Sequence, residues 1–391
     1  KRPMRICYLA DGRYIHAHRW LRYFSRRGHE MHLLSFAPMG PEHVAAVGEA
    51  GARYQGQLEP FHLKKFWRTG GGLWSLKRFL SRERIDVLHC HFLGINAWYA
   101  ALSRFHPFVL TVMGGDVCGP DWRPGREVRE RFLTPLALRK ADLITCWSHR
   151  LTGVVKNYSR PGVAVEVIHG GVDLKRFSPG PKPEYLRERW SLPESAKVVL
   201  SPRLMRPLYN LDRVAEAANE VCAEDPDAHF IFAFLPEAKD EEYEARVRSV
   251  VAAGPAAERT RFIGGIPHDE MADHYRLADV TVSVPSTDGT PMSVLESMAC
   301  STPVVVSDIP DYDPHYIERE KTVLAAKTDE PGRLSSALLR LLREPGLAEQ
   351  LSAEARRRVE ETAGYDAQMA RMERLYEELL GNDECRVQSA E

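Results

Sequence analysis

No stretch of about eighteen consecutive apolar residues occurs in the 391-residue sequence, which excludes a helix that crosses a bilayer unaided. The N-terminal segment also lacks the charged, apolar and small-residue succession of a secretory signal, so the cytoplasm is the expected compartment. Cysteine is scarce and odd in number, seven with no Cys-x-x-Cys pair, which argues against a disulfide framework and a structural zinc site. Buried, apolar-like cysteines are the expectation. Repeats at solenoid periods are absent. What is present, 44% hydrophobic residues with 9% aromatics, is enough to bury cores, and the length favours two or three domains.

The formal net charge of -1 conceals an uneven distribution. Residues 1–180 hold 28 Lys and Arg against 14 Asp and Glu, whereas the remainder holds 25 against 40. A basic first half points to an anionic partner or to an arginine-rich solvated face. Nucleic acid is not the expected partner, because no recognition module is present.

Short apolar runs alternate with helical patterns along the whole chain. Met4–Leu9, Met31–Phe36, Asp86–His91, Phe108–Val112, Leu143–Cys146 and Val165–Ile168 read as strands of a first parallel sheet. A Pro/Gly-rich stretch, Phe177–Pro183, reads as a linker. The alternation then resumes with Lys197–Ser201, His229–Phe234, Arg261–Ile263, Val280–Val284 and Pro303–Ser307. The expected architecture is α/β, with two Rossmann-like doubly wound domains facing a cleft, at residues 1–176 and 184–363. Tyr365, Met369, Met372, Tyr376 and Leu379 form one helical stripe, so residues 364–381 are expected as a helix docking back toward the first domain and 382–391 as a loose tail.

The segment Asp288–Pro310, DGTPMSVLESMACSTPVVVSDIP, carries the chemistry. Thr290 is expected to cap a helix with Pro291 at its first position. The amides of Met292 and Ser293 then form an anion pocket. Glu296, at the edge of the buried stripe, can accept two hydroxyl hydrogen bonds from a diol such as ribose. A turn acid and an ordinary helix glutamate are the alternative when spacing alone is considered.

This segment resembles the signature of retaining glycosyltransferases of family 4, which share the GT-B fold. ICYLADGR, DVLHCH, LTVMGGD, GGVDLKRF, SPRL and FIGGIPHDEMADHYRLADVTVSVPS stand in the matching order around it. The resemblance implies that Glu296 holds the nucleotide ribose and Asp288, where many members carry glutamate, contacts the donor sugar. Gly289, Thr290, Pro291, Met292 and Ser293 would lie beside the sugar and diphosphate. Arg203 matches the phosphate-binding arginine, so Asp288 and Arg203 are the expected catalytic pair. The partner lysine is replaced: Tyr209 stands at its place and Asn210 follows, so either Arg206 compensates or Tyr209 donates a hydroxyl hydrogen bond. The donor is expected to be a nucleotide-diphosphate sugar, UDP first and GDP and ADP behind it, with no metal or other cofactor required. The Asp-x-Asp strings at Asp225 and Asp311 are expected to be structural.

In the first domain, Gly12 would permit close backbone approach to the donor. His89 and His91 point the same way along a strand, and without a third ligand a metal is not expected. His91 and Asp116 are the acceptor-side candidates, while Met113 stands where many relatives carry histidine. Phe61–Ile85 interleaves Lys64, Lys65, Arg68, Lys77 and Arg78 with Trp67, Trp74 and Phe79, which suggests peripheral contact with an anionic membrane or an anionic, lipid-linked acceptor. Two rival readings on the same fold are a nucleotide-sugar isomerase or hydrolase, and a catalytically silent binding subunit.

Overall fold

A computed structural model describes residues 2–59, 71–114, 116–117, 128–236 and 239–388, the side chains of 128–130 and 382–388 excepted. Two compact units emerge: Lys1–Gly170 with Asp366–Glu391, and Gly171–Tyr365.

The first unit is built on seven strands: β1 (Arg5–Leu9), β2 (Glu30–Ser35), β3 (Ala52–Gln57), β4 (Val87–His91), β5 (Phe108–Val112), β6 (Leu143–Cys146) and β7 (Ala164–Val167). They pair in parallel in the order β3-β2-β1-β4-β5-β6-β7. Both faces are covered, which is why β4 and β5 are buried at every position. Helices Gly71–Arg82, Ile95–Ser103 and Val128–Lys140 cover one face, where Leu76, Phe79, Ala97, Ala137 and Leu138 pack with Cys7, Leu88 and Leu110. On the opposite face, helix Ile15–Arg26 places Trp20 and Phe24 beside Tyr8 and Tyr376. The strand β3 was not among those expected: ARYQGQ has no apolar alternation, and it forms as an edge strand through backbone pairing with β2.

The last helix, Tyr365–Gln388, runs seven residues past the expected stop at Gly381. Its stripe residues Met369, Met372 and Tyr376 are fully buried in the first unit. Each such side chain contributes about 1.5–3 kcal/mol. The polar side of the contact is equally specific. Glu373 is buried and accepts from His29 Nε2 at 3.0 Å and from Arg27 Nε at 2.7 Å, while Met4 N donates to His29 Nδ1 at 3.1 Å. The His29 tautomer is thereby fixed with its proton on Nε2.

The second unit carries β8 (Lys197–Ser201), β9 (Ala228–Phe234), β10 (Thr260–Gly264), β11 (Val280–Ser283), β12 (Val304–Ser307) and β13 (Leu324–Ala326), ordered β10-β9-β8-β11-β12-β13 and parallel throughout. The order reverses between β8 and β11, and ligands of open parallel sheets bind outside the carboxyl ends at such a switch point. Those two strand ends lead into Arg203 and Asp288.

The stretch Phe177–Pro183 belongs to the second unit instead of linking two domains. Phe177 is buried against Tyr275, Arg356 donates to its carbonyl at 2.9 Å, and Arg276 donates to the carbonyls of Arg176 and Ser178 at 2.8 Å each. Its composition signals turns, but not arginines 98 and 179 residues away. The boundary falls at Gly170–Gly171. Gly171 adopts φ +70°, and a Cβ there would meet Tyr365 Cα at 2.5 Å, so glycine is required where Val172 N donates to Ala363 O and Tyr365 N to Val172 O.

Cys7, Cys90, Cys146, Cys222 and Cys300 are free and buried, as small apolar side chains would be. No described helix is long and apolar enough to cross a membrane.

Candidate functional site

The helix Met292–Ala299 starts one residue later than the capping pattern predicts. Pro291, extended at φ -68° and ψ 121°, is itself the cap; its carbonyl accepts from Val294 N and Leu295 N, and Thr290 Oγ1 is buried without a hydrogen-bond partner among the described residues. Proline wins because its ring fixes φ and its missing N–H costs nothing at that place. The amides of Met292 and Ser293 thus lie in the first turn, with no intrahelical acceptor. Ser297 Oγ donates to Thr281 Oγ1 at 2.8 Å and ties the helix to β11.

Arg203, two residues past the end of β8 in the stretch SPRL, is the hub. Its side chain is 9% exposed; Nη1 donates to Ser293 Oγ at 3.0 Å, Nη2 donates to Asp288 Oδ2 at 2.7 Å, and the guanidinium lies over the Tyr209 ring at 4.3 Å. A planar fork can serve both acceptors while stacking, which an ammonium cannot. Asp288, 20% exposed, balances the charge. Its presence, after burial, pushes the Tyr312 hydroxyl above the ordinary phenol range.

Tyr209 is held by its neighbours. Pro207–Tyr209 is a single 3-10 turn that ends on Asn210 at φ +50° and ψ 40°, a conformation asparagine tolerates better than most residues and glycine adopts freely. Asn210 Nδ2 donates to Val284 O at 2.9 Å and Ser286 N donates to Leu208 O at 2.9 Å, so the turn is fastened to the end of β11. Asn210 therefore closes the turn in a left-handed backbone conformation while its side chain anchors it. Arg206 is exposed at the start of this turn.

Glu296 lies half-buried on the helix, and Tyr275 donates to its Oε2 at 3.3 Å. Tyr275 is fully buried, and burial together with the Glu296 charge raises its hydroxyl well above the usual range, so it stays a donor. The loop Gly289 is fixed by Asp313 N, which donates to its carbonyl at 2.9 Å. Sequence spacing did not single out Ser201 and Ser283, whose hydroxyls are buried without partners among the described residues at the carboxyl ends of the switch-point strands. Their signal, serine ending an apolar strand, is too common to stand out.

Both Asp-x-Asp strings serve local structure. Asp225 accepts from Lys197 Nζ at 2.8 Å and Asp227 N at 3.1 Å, and Asp313 accepts from His315 N at 3.0 Å. Among the described residues no group of three His, Cys, Asp or Glu is arranged to hold a metal ion.

The first-unit candidates sit apart from this hub along the chain. Asp116 accepts from Leu93 N at 2.7 Å, Met113 N at 3.0 Å and Gly114 N at 2.8 Å, so its carboxylate pins the loop after β5. At Gly12, a Cβ would lie 2.6 Å from Leu33 Cδ2 and 2.7 Å from Met39 Cε, so the close approach there is made by the protein's own side chains. His89 joins a buried chain of hydrogen bonds, from Tyr8 through Tyr376 to His89 Nδ1 and from His89 Nε2 through Thr111 to Thr145. His91 packs against Tyr8, Trp20 and His89, and its Nε2 is buried without a partner among the described residues. Of the basic aromatic stretch, residues 61–70, with Lys64, Lys65, Trp67 and Arg68, lie outside the described residues.

Burial holds His89 well below the usual histidine range, and burial followed by the His16 charge lowers His91 to about 3. Both are neutral in the fold, whereas the unfolded chain protonates them near pH 6.5. The unfolded state therefore binds more protons between that value and about pH 3, and stability falls as pH drops through this window. Urea unfolding should show a loss of about 1.4 kcal/mol per pH unit for each histidine, and His91→Gln should shallow the slope by that one increment. An unchanged slope in that variant would remove His91 from the account.

The family pattern described as Glycosyl transferases group 1 matches residues 184–358, and that described as Glycosyltransferase Family 4 matches residues 12–176. Relatives include the D-inositol 3-phosphate glycosyltransferases of Thermobispora bispora, 30% identical over 231 residues, and of Geodermatophilus obscurus, 30% identical over 281 residues. These matches span 58% and 69% of this chain but only 53% and 57% of the two relatives. Anabaena HepE, solved in complex with UDP-glucose, superposes with a TM-score of 0.78 at 14% identity, covering 96% of this chain and 100% of its own. That likeness shows the fold, two parallel-sheet α/β domains of the GT-B type. Together the two family patterns cover both units, and the chain belongs to the group 1 glycosyltransferases of family 4.

Proposed function

We propose that the chain transfers a sugar from a nucleotide-diphosphate sugar, UDP-linked ahead of GDP- and ADP-linked, to a hydroxyl acceptor, with retention of anomeric configuration and without a metal. The observation that carries this reading is Arg203, pinned between Asp288, Ser293 and the Tyr209 ring at the first turn of the helix that bears Glu296. One side of this cluster is cationic and donor-rich, as a diphosphate needs, and the other offers carboxylates for hydroxyl groups.

In this reading Glu296, oriented by Tyr275, accepts from the ribose hydroxyls. Arg203 and the amides of Met292 and Ser293 take the diphosphate. Asp288 turns its free lone pairs to a donor-sugar hydroxyl. The Tyr209 hydroxyl supplies a neutral donor where relatives place a lysine, and its ring keeps the guanidinium in plane. As the bond from the anomeric carbon to the phosphate oxygen breaks, the negative charge that develops falls on groups already in place. The acceptor oxygen bonds to the same face of that carbon, and its proton passes to the departing phosphate oxygen. No separate base is then needed.

The UDP preference is supported by the UDP-glucose complex of the HepE neighbour, and an anionic acceptor by the D-inositol 3-phosphate named for the relatives. The basic first half of the chain suits such an acceptor. His91 and Asp116 belong to the acceptor side, Asp116 through the loop it holds. The product formed from an α-linked UDP-sugar, followed by proton NMR before mutarotation, should be the α anomer at a rate unaffected by EDTA. A β product, or loss of turnover on chelation, contradicts the mechanism.

A further inference from the structure

Helices Gly71–Arg82, Ile95–Ser103 and Val128–Lys140 lie side by side on one face of the first sheet, joined by Trp98 Nε1 donating to Thr134 Oγ1 at 3.1 Å and by the shared core beneath them. Their outer surface is unusual in two respects. Large aromatic side chains stand out from it: Trp74 is 61% exposed and Phe132 72% exposed, with the edge of Leu102 between. Cations surround them, Lys77, Arg78 and Arg82 on the first helix and Arg131, Arg139 and Lys140 on the third, against one acid in the three helical sequences, Glu130.

These cations are also uncompensated. Several exposed arginines of the second unit pair with carboxylates: Arg357 with Glu354 and Glu361, Arg333 with Glu330, Arg343 with Glu224. On this face Arg82 pairs with Glu83, but Lys77, Arg78, Arg131, Arg139 and Lys140 make no ion pair among the described residues. Arg78 instead lies over the Trp74 ring at 5.2 Å, which keeps the indole extended along the surface.

Exposed aromatics ringed by unpaired cations fit a surface that is negatively charged outside and apolar a few ångströms beneath. A polyanion such as RNA would use the cations but would leave the apolar rings without a burial partner unless its bases unstacked onto them. We infer that the outer face of these three helices docks on a bilayer surface that carries anionic lipid, with the cations at the headgroups and Trp74 and Phe132 entering the interface. The inference is independent of the donor reading, since it involves none of the residues placed around Arg203.

The test is co-sedimentation of the full chain with vesicles. Wild type should pellet with vesicles of equal parts phosphatidylglycerol and phosphatidylcholine, should stay in solution with pure phosphatidylcholine, and should be released by salt. Each cation near such a surface is worth about fivefold in partitioning, so Lys77→Gln with Lys140→Gln should weaken binding about thirtyfold. Trp74→Ser with Phe132→Ser should release the protein at lower salt, and all variants should keep the wild-type urea midpoint because the altered side chains are exposed. Failure of the wild type to pellet with the anionic vesicles overturns the inference, as does binding that either double variant leaves unchanged. Equal retention by poly(U) RNA that survives Trp74→Ser with Phe132→Ser would assign the cations to a nucleic acid and overturn it as well.

Discussion

Glu296→Ala should abolish measurable binding of the donor, a loss on the order of 100-fold or more. A carboxylate that accepts from two ribose hydroxyls makes two charge-assisted hydrogen bonds, each worth about 1.5–3 kcal/mol when the partner would otherwise be left unpaired. The alanine also strands the hydroxyl of Tyr275, which is buried and donates to Glu296 Oε2 at 3.3 Å. A second variant separates these effects. Glu296→Gln keeps an acceptor for Tyr275 and the same volume but loses the charge, so its urea midpoint should match the wild type while donor affinity drops by about tenfold. Calorimetric titration reads both variants; donor affinity unchanged in Glu296→Ala would remove the ribose assignment.

Arg203→Ala should cost about 100- to 1000-fold in kcat, the range for deleting one donor from a preorganised anion site. The effect should fall on kcat more than on KM, because the diphosphate carries its greatest charge as the sugar leaves. Arg203→Lys should recover little. A lysine cannot donate to Ser293 Oγ and Asp288 Oδ2 through a rigid fork while its charge lies flat on the Tyr209 ring. Steady-state kinetics with a saturating acceptor checks both. Full rescue by lysine would mean that only the positive charge matters, and that the stacking on Tyr209 is incidental.

The sheets were largely legible in the sequence, because strands buried on both faces read as short apolar runs bounded by turn residues. β3 escaped because ARYQGQ carries no apolar run and only its pairing with β2 makes it a strand, and β13 because LAA is only three residues long. The docking of the last helix was foreshadowed by the spacing of Met369, Met372 and Tyr376, yet its continuation to Gln388 was not, since residues beyond Gly381 lack an apolar stripe. At the site, the acids and the helix start were visible as a pattern within one segment. What the pattern could not give was the partners: Arg203 meets Asp288 85 residues away and Ser293 90 away, and Glu296 meets Tyr275 from the preceding crossover. The capping proline was misplaced by one residue because Thr290 and Pro291 each suit a helix start, and only backbone geometry decides between them. The arginine ties that bind Phe177–Pro183 to the second unit are likewise long-range, and no local composition announces them.

The central claim is that the Arg203, Asp288 and Glu296 cluster holds a nucleotide-diphosphate sugar. Calorimetric titration of the wild type with UDP-, GDP- and ADP-sugars tests it most directly. The account predicts one-to-one binding of one nucleotide class, UDP foremost, that disappears in Glu296→Ala; absence of binding by every member of the panel, or binding that survives that substitution, would contradict it.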